Sequence, residues 1–516
     1  MRLITKTIFS AAAASTLVLA ACETTPPFNP IDANGSPTRY NTPSTETRTK
    51  APEAPLEITV HEGDFATIQQ FTTPGGISVW LVEEPSIPIM AVRMAWETGA
   101  ATDPDGLEGL TEAMSYMMNE GAGDLDSLAF ATRMEELNMS FGCGSDDETT
   151  YCSANMLTDN AGEAMDLVAE AINDPRFDAD PVARFQREQL IGIKTRETSD
   201  GYLAGRARNA ALMPDHPFSR ETSMASIEAI TPDLIRARKN AVMVKDDLYV
   251  TAVGAMSPEE LAPLLDEVLA GLPEGSDVEE IEDVALNPPL AAPLVVDLPQ
   301  PQSLVSFTAP GPARDDPDFF PSYVLNYTFG GGGFESRLMK DLRIEKGLTY
   351  GVSTGISTGD HLNTWGGGGR TKNESAGEFI DSLKAEMTDI VTNGVTEQEL
   401  SDAKAYLTGS YPLSFDSNSK IASNLMSVRL EDLGVDYFDR RNALVEAVTL
   451  DDVNAMAAKY LQPENFTFII VGEPEGILER SILPEGLGDH VSLDDAGDEQ
   501  ERESEETQEM PNPDHG

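Results

Sequence analysis

The first group that could do chemistry is a lone carboxylate. It is Glu112, in the stretch Asp105-Gly106-Leu107-Glu108-Gly109-Leu110-Thr111-Glu112-Ala113-Met114. A helical carboxylate serves as a base toward a metal-bound water when histidines on the same face hold the metal. No histidine flanks Glu112. The five histidines are His61, His216, His361, His490 and His515, and none falls in a His-x-x-Glu-His or His-Glu-x-x-His pattern. Surface positions are expected for all five. A second candidate is the glycine run Phe329-Gly330-Gly331-Gly332-Gly333-Phe334. A phosphate loop ends in Gly-Lys-Ser/Thr, or reads Gly-x-Gly-x-x-Gly after a strand. This run does neither, which argues against a nucleotide site. Cys143 and Cys152 flank Gly144 to Tyr151, which reads as a hairpin turn. A two-residue turn at 147–148 sets them opposite each other, and both a disulfide and a pair of free thiols stay open.

The elements that must position these groups follow from periodicity. Leu107, Leu110, Ala113, Met114 and Met117 recur at helical spacing, with Asp103 or Asp105 as the cap and an end near Asn119. Gly109 then falls inside a helix, at a cost of about 1 kcal/mol relative to Ala. Ile77 to Val82 alternates as a strand, and Ile89 to Trp96 continues as a second. There is also an internal repeat. Thr231-Pro232-Asp233-Leu234 opens a helix leading to the strand Leu248 to Gly254. Thr449-Leu450-Asp451-Asp452 opens another leading to Phe466 to Gly472, at the same Thr-to-Gly distance. Gly162-Glu163-Ala164-Met165 and Gly377-Glu378-Phe379-Ile380 begin helices at similar distances upstream. The pattern predicts two homologous α+β domains, each a mostly antiparallel sheet with helices packed on one face.

A helix bearing Glu112 after two strands, in a half built twice, resembles the insulinase-like (pitrilysin) family of inverted zinc peptidases. The resemblance extends over residues 56–478 and implies the fold shared with mitochondrial processing peptidase. In active members the helix carries His-x-x-Glu-His after a Gly-Leu pair. Aligned on Gly106-Leu107, the first His position is Gly109, the Glu position is Glu112 and the second His position is Ala113. The later Glu ligand falls at Ile193, with Glu188 nearby in sequence. The resemblance therefore implies no zinc in this chain.

The same family also supplies the most specific match. Ser336-Arg337-Leu338, Leu342-Arg343, Gly347-Leu348 and Tyr350 resemble the signature of its C-terminal half. There the residues matching Arg343 and Tyr350 reach the scissile carbonyl, where a guanidinium and a phenol stabilise the developing oxyanion. Arg343 is expected near the end of a helix starting at Ser336, and Tyr350 just beyond a Gly347 C-cap. Some bacterial members divide labour: one subunit carries His-x-x-Glu-His, and a zinc-less subunit supplies Arg and Tyr. The resemblance implies that this chain is the zinc-less half. Its partner would be a catalytic insulinase-like subunit holding the zinc, and its substrates peptides. The competing reading is a lipid-anchored peptide-binding or scaffold protein without a catalytic role.

The rest of the chain sets the context. Its 516 residues carry a formal net charge of -53. Such a surface repels phosphate backbones, so no nucleic-acid partner is expected. The positively charged start, the apolar run Ile8 to Ala21 and the sequence Leu19-Ala20-Ala21-Cys22 resemble a bacterial lipobox, with Cys22 lipidated. Glu23 is not the retention residue Asp, so the expected home is the outer membrane, facing the periplasm. The expected organisation is a signal peptide over 1–21 and a flexible tether over 22–55. Two peptidase-like domains follow over 56–280 and 295–478, with a linker over 281–294, and an acidic disordered tail fills 479–516.

Overall fold

The computed structural model describes residues 55–483. The signal-like run, Cys22, the tether and most of the acidic tail, with His490 and His515, lie outside the described residues. The first half contains β1 (Ile58–Glu62), β2 (Thr67–Thr72), β3 (Ser78–Glu83), β4 (Ile89–Trp96), α1 (Leu110–Met117) and the short β5 (Gly121–Ala122) and β6 (Leu125–Asp126). It continues with α2 (Ser127–Glu136), β7 (Ser140–Ser145), β8 (Thr150–Leu157), α3 (Ala161–Asn173), α4 (Ala179–Arg196) and α5 (Asp200–Leu212). It closes with α6 (Met224–Ala229), α7 (Pro232–Val242), β9 (Leu248–Gly254) and α8 (Pro258–Leu269). The second half contains β10 (Leu294–Asp297), β11 (Gln302–Pro310), α9 (Phe319–Asn326), β12 (Thr349–Ser357), β13 (Thr364–Lys372) and α10 (Ala376–Asn393). After these come α11 (Glu397–Gly409), α12 (Asn418–Leu430), α13 (Tyr437–Ala447), α14 (Leu450–Tyr460) and β14 (Thr467–Gly472).

The two sheets share one plan. The first has the order β1-β2-β3-β9-β4-β8-β7 and the second β10-β14-β11-β13-β12. All neighbours are antiparallel except β3 with β9 and β10 with β14. Strands β1 and β2 extend the first sheet beyond the repeat and are absent from the sequence reading, although Ile68 and Phe71 are buried. The repeat itself is visible in the caps. Thr231 and Thr449 each accept a hydrogen bond from the third residue of the following helix, and the helices α7 and α14 are 11 residues each.

Each sheet buries one face under helices of its own half. Val79, Leu81, Val92 and Trp96 pack with Met114, Met117, Val168 and Leu265 in the first. Val305, Phe307 and Trp365 pack with Leu325, Phe379, Leu383 and Val453 in the second. The opposite faces are covered by an exchange. Leu425 and Val428 of α12 lie on Ile68, Val82, Ala91 and Val253 of the first sheet. Leu203, Ala204 and Ala207 of α5 lie on Leu294, Val296, Ile469 and Val471 of the second. Helices α5 and α12 are 13 residues each and start at Asp200 and Asn418, the same offset that separates Thr231 from Thr449. They are the same element of the repeat, traded between halves. Burying Leu425 fully contributes about 1.5–3 kcal/mol; Leu425→Asp would put a charge into that seam.

Polar contacts finish the seam. Arg370 of β13 forms a two-pronged pair with Asp200 at 2.8 Å on each prong. Glu148, in the β7–β8 turn, accepts the His361 N–H at 2.8 Å. Arg429 of α12 donates to the Ser78 and Val250 main-chain oxygens. His61 and Asp439 meet at 2.7 Å.

Candidate functional site: the Gly109–Glu112 segment and an outward Arg–Tyr motif

The loop before α1 is built around Asp103. One carboxylate oxygen accepts the Gly109 N–H at 3.0 Å and the other accepts the Thr111 N–H at 3.1 Å. Arg238 of α7 closes the arrangement at 3.4 Å, with both side chains buried. These bonds start the helix at Leu110, later than the apolar spacing predicts. Gly109 is the residue before it, at φ +96°, in the left-handed region that suits glycine. The expectation that Gly109 sits inside a helix at a cost is therefore corrected. It is the residue its backbone requires. A Cβ there would lie 3.0 Å from Ile227 Cδ1 and 3.1 Å from Thr222 Cγ2.

The other positions that the resemblance aligns with zinc ligands are filled. Ala113 is completely buried, and Ile193 on α4 is 8% exposed and part of the first core. Glu112 is exposed and accepts a 2.8 Å hydrogen bond from Gln189 of α4. Loss of water around its carboxyl raises the Glu112 pKa, opposed by the Gln189 bond and the Arg196 charge. Glu188 points its carboxylate toward the Tyr116 hydroxyl at 3.5 Å. Among the described residues no group of three or more His, Cys, Asp or Glu is placed to hold a metal. The three described histidines, His61, His216 and His361, serve elsewhere and are half-buried rather than free on the surface. His216 bonds the Glu282 carbonyl at 2.8 Å and His361 meets Asp283 at 3.1 Å. Cys143 and Cys152 face each other in register and are joined by a disulfide.

The motif of the second half separates into packing residues and two outward groups. Residues Tyr327–Gly331 and Met339–Glu345 are π-helical turns, so Arg343 lies in a widened turn rather than an α-helix. Ser336 is buried and bonds the Gly333 carbonyl at 2.7 Å. Arg337 grips Glu399 with two bonds, of 2.7 and 2.8 Å, and reaches Asp389 at 3.1 Å. Leu338 and Leu342 are core, and Gly347 takes φ +65° to end the turn. Gly330 and Gly332 approach Thr354 and the Tyr327 carbonyl too closely for a Cβ, which is a packing role rather than an anion loop.

Arg343 and Tyr350 have no such role. Among the described residues Arg343 forms no ion pair with an acid. It lies over the Phe334 ring at 4.5 Å and donates to the Tyr350 main-chain oxygen at 2.6 Å. Tyr350 is 86% exposed, with Phe334 and Ile344 also exposed beside this surface. Neither the Tyr350 hydroxyl nor the remaining Arg343 N–H groups has a hydrogen-bond partner among the described residues. Nor does any hydrogen bond join this pair to Glu112. A cleft of about 820 Å³ lies apart from both groups, between Asp103, Arg220, Arg238 and the extended strap Asp277 to Glu282.

The sequence reading missed the pairing irregularity at Tyr350. Thr349 pairs with Thr371 and Val352 with Gly369, so Tyr350 and Gly351 together face Arg370 alone. This is a β-bulge, a device that re-aims a side chain. Its only trace in the sequence is the glycine after Tyr350.

Comparison with known proteins shows the family and the fold. Residues 78–225 match the family described as Insulinase (Peptidase family M16), and residues 229–407 match the Peptidase M16 inactive domain. The chain is 24% identical to the non-peptidase homolog YmxG of Helicobacter pylori (strain ATCC 700392 / 26695), over 75% of this chain and 90% of that one. A crystal structure of a peptidase M16 inactive domain from Pseudomonas fluorescens superposes with a TM-score of 0.73 at 27% identity, covering 81% of this chain and all of that one. The periplasmic protease PqqL from Escherichia coli shares the fold, with a TM-score of 0.71 at 16% identity, over 83% of this chain and 48% of that one.

Proposed function

We propose that this chain, which belongs to peptidase family M16, is the zinc-free half of a two-subunit peptidase. The supporting observation is the division of the 336–350 motif. Ser336, Arg337, Leu338, Leu342 and Gly347 are engaged within the fold, while Arg343 and Tyr350 face outward with unused donors. A local structural role would bury the phenol or pair the guanidinium with an acid.

The vacated positions Gly109, Ala113 and Ile193 leave Glu112 without ligands to act beside, so hydrolysis needs a partner carrying His-x-x-Glu-His and its zinc. In that pairing Arg343 and Tyr350 meet the substrate carbonyl of a peptide held between the subunits. Their N–H and O–H groups point at the oxygen as it gains charge. Removing one such donor typically costs 10²–10³-fold in rate. The Phe334 ring lies under the guanidinium at 4.5 Å, which limits its freedom before substrate arrives. Lipidation at Cys22 would hold the assembly at the outer membrane, facing the periplasm.

The test is an affinity pull-down of the tagged mature chain from its native membrane, followed by peptidase assay of what is recovered. The expected result is a stoichiometric homologue bearing His-x-x-Glu-His, whose activity Arg343→Ala abolishes while the pair still assembles. Stoichiometric zinc on the isolated chain, or full activity with Arg343→Ala, would overturn the proposal. Recovery of unrelated envelope proteins only would move the weight to a scaffold.

A further inference from the structure

We infer that Thr349, backed by the Asp200–Arg370 pair from across the seam, is a positioning residue that aims Tyr350 and Arg343 outward. The inference rests on the role proposed for those two residues.

The argument starts from strand periodicity. Side chains alternate along a strand, so Tyr350 would share the inward face of Val352, which is 3% exposed. Instead Tyr350 is 86% exposed. The extra residue of the bulge breaks the alternation between Thr349 and Val352 and turns the ring to solvent. A bulge leaves main-chain groups without ladder partners, and they need partners of another kind.

Thr349 supplies them from one atom. Its Oγ accepts the Gly351 N–H at 3.0 Å and donates toward the Arg370 carbonyl at 2.7 Å, with the Gly351 carbonyl also near at 2.9 Å. The bulge is thus tied on both sides of Tyr350 and to the strand opposite. Arg343 takes the Tyr350 carbonyl itself, so the two functional side chains share one piece of backbone. Gly369 permits the close approach of β13, since a Cβ there would lie 2.6 Å from the Gly351 oxygen.

Arg370, the single residue opposite the bulge, is in turn held by Asp200. The pair is bidentate, and the Arg370 hydrogen bonds hold the Asp200 carboxyl below its ordinary range. Asp200 opens α5, the exchanged helix, and is separated from α4 by a short break at residues 197–199. Helix α4 carries Gln189 and Ile193 and leads by a short break into Asp200, whose carboxylate reaches Arg370 opposite the bulge.

Two readouts test this on the full chain. Hydrogen exchange at the Gly351 amide, measured on the chain alone, reads the tie directly. Thr349→Val should speed it about five- to tenfold, the loss of one hydrogen bond, and Thr349→Ser should restore protection. Steady-state kinetics of the assembled pair read the aim. Thr349→Val should lower kcat about tenfold or more with KM unchanged, and lower the melting temperature only by the few degrees that one lost hydrogen bond accounts for. Asp200→Asn should lower it less, and the double variant should be no worse than Thr349→Val alone. Unchanged exchange at Gly351, or wild-type kcat in Thr349→Val while Tyr350→Phe is inactive, would overturn the inference. Full activity in both Arg343→Ala and Tyr350→Phe would instead overturn the peptidase role, and Gly351 exchange would still decide whether Thr349 holds the bulge.

Discussion

The Gly109 N–H donates to the Asp103 carboxylate across 3.0 Å, with Gly109 at φ +96°. This relationship means that placing imidazoles at positions 109 and 113 will not create a metal site. In Gly109→His with Ala113→His, the first histidine leaves from a left-handed residue just outside α1, against Ile227 and Thr222. A non-glycine residue in that conformation costs about 1–2 kcal/mol before any clash. The second imidazole enters a completely buried position, and Ile193 offers no third ligand. The expected outcome is a destabilised chain without zinc, read by thermal melting and metal analysis. One zinc per chain at an unchanged melting temperature would show that the site is latent rather than lost.

Asp103 gives the next prediction. It holds the start of α1 and faces the buried Arg238. Asp103→Asn keeps the shape but strips the counter-charge from a guanidinium that is 4% exposed. Breaking such a buried pair from one side typically costs about 3–5 kcal/mol. Asp103→Asn should therefore lower stability far more than Asp105→Asn, whose carboxyl is exposed and pairs with Arg220 at the surface. Equal losses in urea unfolding would refute the assignment of Asp103 as the organiser of this loop.

These two cases show what the sequence could and could not reveal. Caps and periodicity made the repeat visible, because Thr231 and Thr449 start equivalent helices in equivalent places. They could not reveal the exchange of α5 and α12. An apolar stripe records that a face is buried, not which half buries it. Gly109 misled for a related reason: helical spacing continues through it, and only the bonds to Asp103 set the later start. Arg343 and Tyr350 were legible as a motif, but the bulge at Tyr350 follows from pairing register, which the chain does not spell out locally.

The disulfide ties the β7–β8 hairpin at Cys143 and Cys152, where β7 is the outer strand of the first sheet. Closing so short a loop contributes about 2–3 kcal/mol in the chain-entropy account. Reduction, or Cys143→Ser with Cys152→Ser, should lower the melting temperature while leaving the sheet folded. After alkylation without reductant, an unmodified peptide carrying Cys143 and Cys152 would confirm the bond in the purified chain, and two alkylated thiols there would deny it.

Glu399 makes the Arg337 contact pH-sensitive. Burial alone pushes its carboxyl up, but the Arg337 fork and the Thr396 N–H and O–H outweigh that and bring the pKa down to about 2. A carboxyl with a lowered folded pKa stabilises fully above its unfolded value of 4.5 and loses that contribution as pH falls toward 2. The shift corresponds to roughly 3 kcal/mol at neutral pH. Glu399→Gln should cost up to about that much at pH 7, with the gap to the wild type closing between pH 4.5 and 2. A gap independent of pH would mean that shape, not charge, holds Arg337.

Lys239 runs the other way. It sits on the buried side of α7 at 3% exposure, and burial brings its pKa down to about 8 from 10.5. The unfolded chain binds that proton more tightly than the folded one, so stability rises with pH between 8 and 10.5. Below pH 8 both states are charged and the folded state bears the whole penalty, about 3 kcal/mol. Lys239→Met removes the charge and keeps an unbranched side chain. It should stabilise the chain by roughly 2–3 kcal/mol at pH 7, with the gain shrinking toward zero by pH 10.5, as read by urea unfolding at the two pH values. A loss of stability at pH 7 would mean that the ammonium finds compensation in the folded state, and that the chain keeps Lys239 for its charge.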